Sequence, residues 1–234
     1  MSVQPSHLVK ELTIAFERER NSELAEPMRA YMRDQFDFLG IKSPERKSIH
    51  KAVIENVGYS TDVLAVAELL WKKREREYQY SACELLTAVV KSKRLRPLLA
   101  ATDESISRIE KLITTKSWWD TVDALAPRVA YQLLLNMKPG AIRANAKRWA
   151  ASDNMWLNRS AMILQLGARN ATDFELMKEV ILQHASSPEF FLRKGAGWAL
   201  REYSKYQPER VRVFVEKHKK LLSPLTVREA TKYT

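Results

Sequence analysis

The sequence predicts an all-α protein, a solenoid of stacked helix pairs with a concave face. Three observations predict it. Apolar residues recur at three and four positions along nearly the whole chain. Strand-like alternation never lasts beyond a few residues. The chain also resembles itself at a period of 34 to 41 residues.

The first helix is read over 8–16, where Leu8, Leu12, Ala15 and Phe16 share one stripe. Asp62 to Trp71 and Tyr80 to Val90 carry the same pattern. Val122, Leu125, Val129 and Leu133 continue it, then Met162, Ile163 and Leu166, and last Phe190 to Tyr203. Pro27, Pro44, Pro97, Pro139, Pro188, Pro208 and Pro224 fall where helices start or are punctuated. Pro127 lies within a helical pattern and is expected to kink or interrupt it.

The self-similar segments are REREYQYSACELL from Arg74, TKSWWDTVDALAP from Thr115, SDNMWLNRSAMIL from Ser152 and SSPEFFLRKGAGW from Ser186. Arg76, Ser117, Met155 and Glu189 are equivalent points, separated by 41, 38 and 34 residues. Two antiparallel helices with short loops need about that length, the range of HEAT-type repeats. One pair cannot bury its apolar face alone, so neighbours must stack. Residues 1–60 lack a clear repeat and are expected to form an N-terminal helical cap, with helix-pair repeats over 61–234. No linker divides the chain, so a single domain over 1–234 is expected.

Composition narrows the function. With 45% hydrophobic and 29% charged residues, the 234-residue chain can bury a large core and is not a disordered type. Neither a GxGxxG nor a GxxxxGK[ST] motif is present. Cys83 is the single cysteine, which excludes an intrachain disulfide and a multi-cysteine zinc site. His7, His50, His184 and His218 lack metal-ligand spacing, so no metal and no cofactor are expected. No apolar run approaches the ~20 residues of a membrane span. The N-terminus carries Glu11 in its apolar stretch and lacks a cleavage signal, so a soluble cytoplasmic protein is expected. The net charge of +11 sits in residues 51–150 and 201–234, the other stretches being balanced. A surplus spread this way suits a surface that tracks a polyanion, because phosphate neutralisation releases counterions.

The repeat starts from Thr115 onward hold the residues that carry chemistry. Trp119 and Asp123 lie one turn apart on one helix face, and Trp156 and Arg159 stand three residues apart. Phe191, Lys194, Trp198 and Arg201 form one stripe of aromatics and cations. Side by side, these stripes make a cationic groove containing indoles and a carboxylate. Arg159 could pair with Asp153 or Asp123, and a tryptophan at helical spacing is often core. A carboxylate among phosphate-binding cations nevertheless needs a reason, since it repels DNA. Glycosidic cleavage supplies one: positive charge builds on the sugar, and a carboxylate stabilises it and positions water. Aromatic faces attract cations by about 0.5–2 kcal/mol per contact. A base already cationic from alkylation leaves without a general acid, matching a site without histidine.

AEPMRAYMRDQFDFLGIKSPER at 25–46, TKSWWDTVD at 115–123, ASDNMWLNRSA at 151–161 and GWALREY at 197–203 closely resemble the bacterial AlkD family of HEAT-like repeat DNA glycosylases. The likeness runs in order over nearly the whole chain. It implies a HEAT-like helical fold that holds double-stranded DNA in its concave face as a monomer. It implies excision of N3- and N7-alkylated purines without base flipping, unlike most base-modifying enzymes. By motif, the family's catalytic group falls on Trp119, Asp123 and Trp198. Arg159 matches a DNA-contacting arginine that holds a phosphate, and Tyr31 in EPMRAYM matches another DNA-facing position. Lys42, in LGIKSPER, falls in a DNA-facing loop of the family that carries a Gln. Phe191, Lys194 and Arg201 complete the expected DNA-binding set. The alternative is a non-enzymatic HEAT module that binds damaged or branched DNA; Asp123 discriminates, since a pure binder gains nothing from a carboxylate facing phosphates. A protein-binding scaffold would instead show an apolar or acidic groove. A lyase would need an amine nucleophile, for which Lys194 is the nearest candidate by pattern.

Overall fold

The computed structural model describes residues 3–233. Among the described residues the chain is helical nearly throughout, with one isolated parallel bridge between Val3 and Ser60. The helices are α1 Pro5–Arg18, α2 Ser22–Tyr31, α3 Ser43–Val57, α4 Val63–Lys72, α5 Arg76–Lys91, α6 Asp103–Thr114 and α7 Trp119–Leu125. They continue as α8 Tyr131–Leu135, α9 Ala141–Ala150, α10 Met155–Ile163, α11 Phe174–Gln183, α12 Phe190–Ser204, α13 Pro208–His218 and α14 Pro224–Ala230. None of the described helices is long and apolar enough to cross a membrane. The chain divides into two compact units, Met1–Arg108 and Ile109–Thr234.

In the first unit α1 packs on α3 and α4, and α4 on α5. Leu8, Leu12 and Phe16 are fully buried, as their spacing requires; burial of each is worth about 1.5–3 kcal/mol. The loop ahead of α3 is held from inside. The Glu77 carboxylate accepts the backbone N–H groups of Leu39 and Gly40 at 2.9 Å and of Ile41 at 3.1 Å. The Asn21 N–H donates to the Leu39 carbonyl at 2.8 Å, closing the loop on the start of α2. Burial pushes the Glu77 carboxyl above its ordinary range while these amides pull it down. Pro27, expected to start or punctuate a helix, lies inside α2. Its missing N–H is tolerated because α2 buries none of its residues and water can satisfy the freed carbonyl.

In the second unit α10 packs on α7, α9, α11 and α12, and α12 packs on α13 and α14. Val122, Leu125, Val129 and Leu133 are buried, as their period predicts. The run from α7 to α8 is continuous but widens into a π turn over Ala126–Ala130. Pro127 is the cause: it lacks the N–H that would reach the carbonyl of Asp123, so the ladder opens there.

The four self-similar segments each open a helix: α5, α7, α10 and α12. The fourth residue of three of them ties down the chain that precedes it. Gln79 Nε2 donates to the carbonyls of Leu70, Trp71 and Lys73 at 3.0–3.4 Å, ending α4. Asn158 Nδ2 does the same to Trp149, Ala150 and Ser152 at 2.8–3.2 Å, ending α9. Arg193 Nε reaches Ser187 at 2.8 Å. Orphan carbonyls at a helix end are thereby satisfied inside the protein, where water is scarce.

Gly40 has φ 88°, and a β-carbon there would come 1.9 Å from the Asn21 carbonyl oxygen. Gly40→Ala is therefore expected to destabilise the protein by about 3 kcal/mol or more. Urea unfolding measures it; a midpoint matching the wild type would show that the loop is not under this constraint.

Candidate active site

The approach to α7 is set by side chains that bond back onto α6. Thr114, Thr115 and Ser117 hydroxyls donate to the carbonyls of Glu110, Lys111 and Ile113 at 2.8, 2.5 and 2.7 Å. They satisfy the last carbonyls of α6 and stop it. Lys116 then turns the chain through a left-handed φ of 49°. Trp118 and Trp119 follow at the start of α7, and Asp123 comes one turn later.

Asp123 is bound in a fork by Arg159 of α10. Nε donates to Oδ1 at 2.8 Å and Nη2 to Oδ2 at 2.7 Å. The third arm, Nη1, donates to the Phe191 carbonyl at 2.5 Å, where α12 begins. The side chains are 4% and 16% exposed, so the arginine is inside and the carboxylate reaches the surface. Arg159 thus joins three helices and is turned toward Asp123, leaving two of its five N–H groups undirected. Burial pushes the Asp123 carboxyl above its ordinary range. The Arg159 fork opposes this, and the Asp120 charge one turn earlier adds to the rise. Asp120 Oδ1 itself accepts the Thr121 N–H at 2.9 Å in the first turn of α7.

Aromatic rings lie beside this pair. Trp118, Trp156 and Phe191 form a triangle with centroids 5.0–5.8 Å apart, and Phe190 meets Phe191 edge-on at 5.4 Å. The Phe191 ring stands 6.0 Å from the Arg159 guanidinium. The Trp118 Nε1 is buried and has no hydrogen-bond partner, a polar group left unsatisfied at a cost of about 1–3 kcal/mol. Trp119, one turn before Asp123, and Trp198, midway along α12, are each partly exposed.

The cations of the α12 stripe converge on a residue not singled out in the sequence. Glu229 of α14 accepts Lys194 Nζ at 2.8 Å and Lys232 Nζ at 3.0 Å on one oxygen, and Arg201 on the other. Tyr31 and Lys42 belong to the first unit, Tyr31 73% exposed at the end of α2 and Lys42 exposed immediately before α3. The structure therefore unites Asp123, Arg159 and Phe191 in one constellation and Lys194 with Arg201 in a second. Glu77, Trp118 and Glu229 were missed from sequence. A signal for one of them, Glu229, exists in KGAGW, beside one for Arg159. Glycine inside a helix costs about 1 kcal/mol, so two of them imply close approaches. A β-carbon on Gly195 would come 3.0 Å from Arg159 Nη1, and one on Gly197 would come 2.5 Å from the Glu229 β-carbon.

A family model described as DNA alkylation repair enzyme matches residues 12–234. A solved structure described as a predicted DNA alkylation repair enzyme from Enterococcus faecalis is 31% identical. That likeness covers 92% of this chain and 96% of the other, with a TM-score of 0.77. No match is found among curated proteins.

Breaking one side of a buried pair strands the other charge. Arg159→Gln is expected to lower the unfolding free energy by about 3 kcal/mol. Adding Asp123→Asn should recover part of that loss, with a coupling of about 1 kcal/mol or more. Urea titrations of both single variants and the double variant measure it, and simple additivity would show that the two side chains do not support each other.

Proposed function

The chain belongs to the DNA alkylation repair enzyme family, and on that premise we propose that it is a monofunctional DNA glycosylase. Its substrate is duplex DNA carrying a cationic N3- or N7-alkylated purine, such as 3-methyladenine or 7-methylguanine. It hydrolyses the N-glycosidic bond without flipping the base and leaves an abasic site. The observation that carries this reading is the Asp123 carboxylate, oriented by the Arg159 fork, whose guanidinium stands 6.0 Å from the Phe191 ring of an aromatic cluster.

The chemistry needs little beyond that. As the C1′–N bond breaks, its electron pair returns to the purine, which leaves neutral. Positive charge then develops on the sugar ring and is stabilised by the carboxylate. Water adds to C1′ and gives up a proton to Asp123 or solvent. Arg159 keeps both carboxylate oxygens at fixed positions, so no reorganisation is needed as the charge forms. Trp119 and Trp198 supply aromatic faces to the cationic sugar and base. Lys194 is engaged by Glu229 and not poised as an amine nucleophile, which favours the monofunctional reading. Tyr31, Lys42 and Arg201 serve DNA binding. The decisive experiment is release of free base from a duplex with one 7-methylguanine; binding without release would favour a non-catalytic DNA module.

Asp123→Asn is expected to keep DNA binding and lose excision by about 100-fold or more, a loss of about 3 kcal/mol of transition-state stabilisation. Ionised Asp123 is the active form, and burial raises its pKa above the ordinary 3.8. The wild-type single-turnover rate should therefore rise with pH through a limb above that value, and the variant should lack the limb. Near-normal excision by the variant would remove Asp123 from the mechanism.

Lesions that are cationic beforehand should be the substrates, because the Asp123 carboxylate and the aromatic rings stabilise positive charge and supply no leaving-group proton. A panel of single-lesion duplexes tests this. Release of 3-methyladenine and 7-methylguanine but not uracil or hypoxanthine is expected. A larger group at N7 should be tolerated, since the proposed site does not enclose the base. Robust uracil release would overturn the charge-based mechanism.

A further inference from the structure

Glu229 ties α14 to the cations of α12. It is 3% exposed and meets Lys194, Lys232 and Arg201 at once. The Lys194 ammonium, helped by Lys232 and Arg201 and opposed by burial, holds its carboxyl down to about 2. Two of these cations belong to α12 and frame one residue. Lys194 stands four positions before Trp198 and Arg201 three after it, so all three share a helix face. A side chain of α14 also reaches the α12 backbone: Thr226 Oγ1 donates to the Arg193 carbonyl at 3.1 Å. Gly197 is bare where Glu229 and Thr226 approach, a β-carbon there lying 2.5 Å from one and 3.1 Å from the other.

This arrangement is odd for a surface that binds phosphates. A carboxylate beside Lys194 and Arg201 lowers the attraction of both for a polyanion, so affinity is not what it serves. What it gains is geometry: two long, flexible side chains, from positions that flank Trp198 along one face of α12, are fixed on Glu229, and α12 is seated on α14.

We propose that Glu229 is a positioning residue that weakens DNA binding and, through Lys194 and Arg201, sets the place of Trp198 for base excision. This deepens the glycosylase reading and rests on it. Affinity and excision rate are then opposed at this site. Removing the carboxylate should raise affinity and lower the rate, because a misplaced group at the reacting centre is costly even when binding is intact.

The test compares wild type, Glu229→Gln and Arg201→Gln on a duplex with one 7-methylguanine. Affinity is read at several salt concentrations, and excision as the single-turnover rate at saturating protein. Glu229→Gln is expected to bind several-fold tighter, with a salt slope steeper by about one unit, and to excise at least about tenfold more slowly. Arg201→Gln keeps the Glu229 charge and should show the same rate loss with weaker binding. Rate loss with opposite affinity changes is a signature that general destabilisation does not produce. Wild-type rate in a folded Glu229→Gln variant, or unchanged affinity and slope, overturns the proposal. If Glu229→Gln does not fold, Arg201→Gln decides: a saturating rate equal to wild type overturns it, and a rate loss supports it. If the wild type itself releases no base, the glycosylase reading falls and the rate part of the proposal with it. The affinity and slope arms then still show whether Glu229 restrains the cations.

Discussion

The buried fork between Asp123 and Arg159 is the contact on which the second unit is organised. An arginine that is 4% exposed needs a partner for its charge and acceptors for its donors. Asp123 supplies the charge from α7, and the Phe191 carbonyl supplies a further acceptor from α12. Three helices are thereby tied through one guanidinium. The surrounding sequence is shaped to permit it: Gly195 leaves room for Nη1, where a β-carbon would come 3.0 Å away. A lysine could not replace this arginine, because only the planar fork meets two carboxylate oxygens and a carbonyl together.

Two carboxylates of this unit, Asp123 and Glu229, illustrate how environment assigns different tasks. Asp123 is held above its ordinary range by burial, with one forked partner to oppose it. Glu229 is held far below its range by Lys194 and two further cations. The first is a group whose charge is costly to keep and is therefore responsive to new positive charge nearby. The second is locked ionised and acts as a mechanical anchor. A chain with a net charge of +11 thus does not expose all its cations to a partner, since several near the site are already neutralised.

The first unit uses the same economy on a loop. Residues 39–41 direct their N–H groups at one internal carboxylate, and Lys42 follows directly. Three donors on one acceptor group fix the backbone far more tightly than solvent would. The loop therefore presents Lys42 from a rigid base. Gln79 and Asn158 repeat the principle at two helix ends, one in each unit.

The sequence by itself determined the helical fold, the stripes that became core, the four segments that open α5, α7, α10 and α12, and the break at Pro127. These are local consequences of period, capping and the missing proline N–H, which act within one or two turns. It also brought Asp123 and Arg159 into view as one of two pairings left open, Asp153 being the other. Only the tertiary structure decided between them, because the contact spans 36 residues and depends on how α7, α10 and α12 pack. The same holds for Glu229, 28 residues beyond Arg201, and for Glu77, at least 36 residues beyond the amides it holds. A glutamate at a helical position reads as solvated surface in sequence, since the choice between water and a buried partner is made by packing. The two helical glycines carried that information in a form that periodicity does not score: they marked close approaches without saying to what.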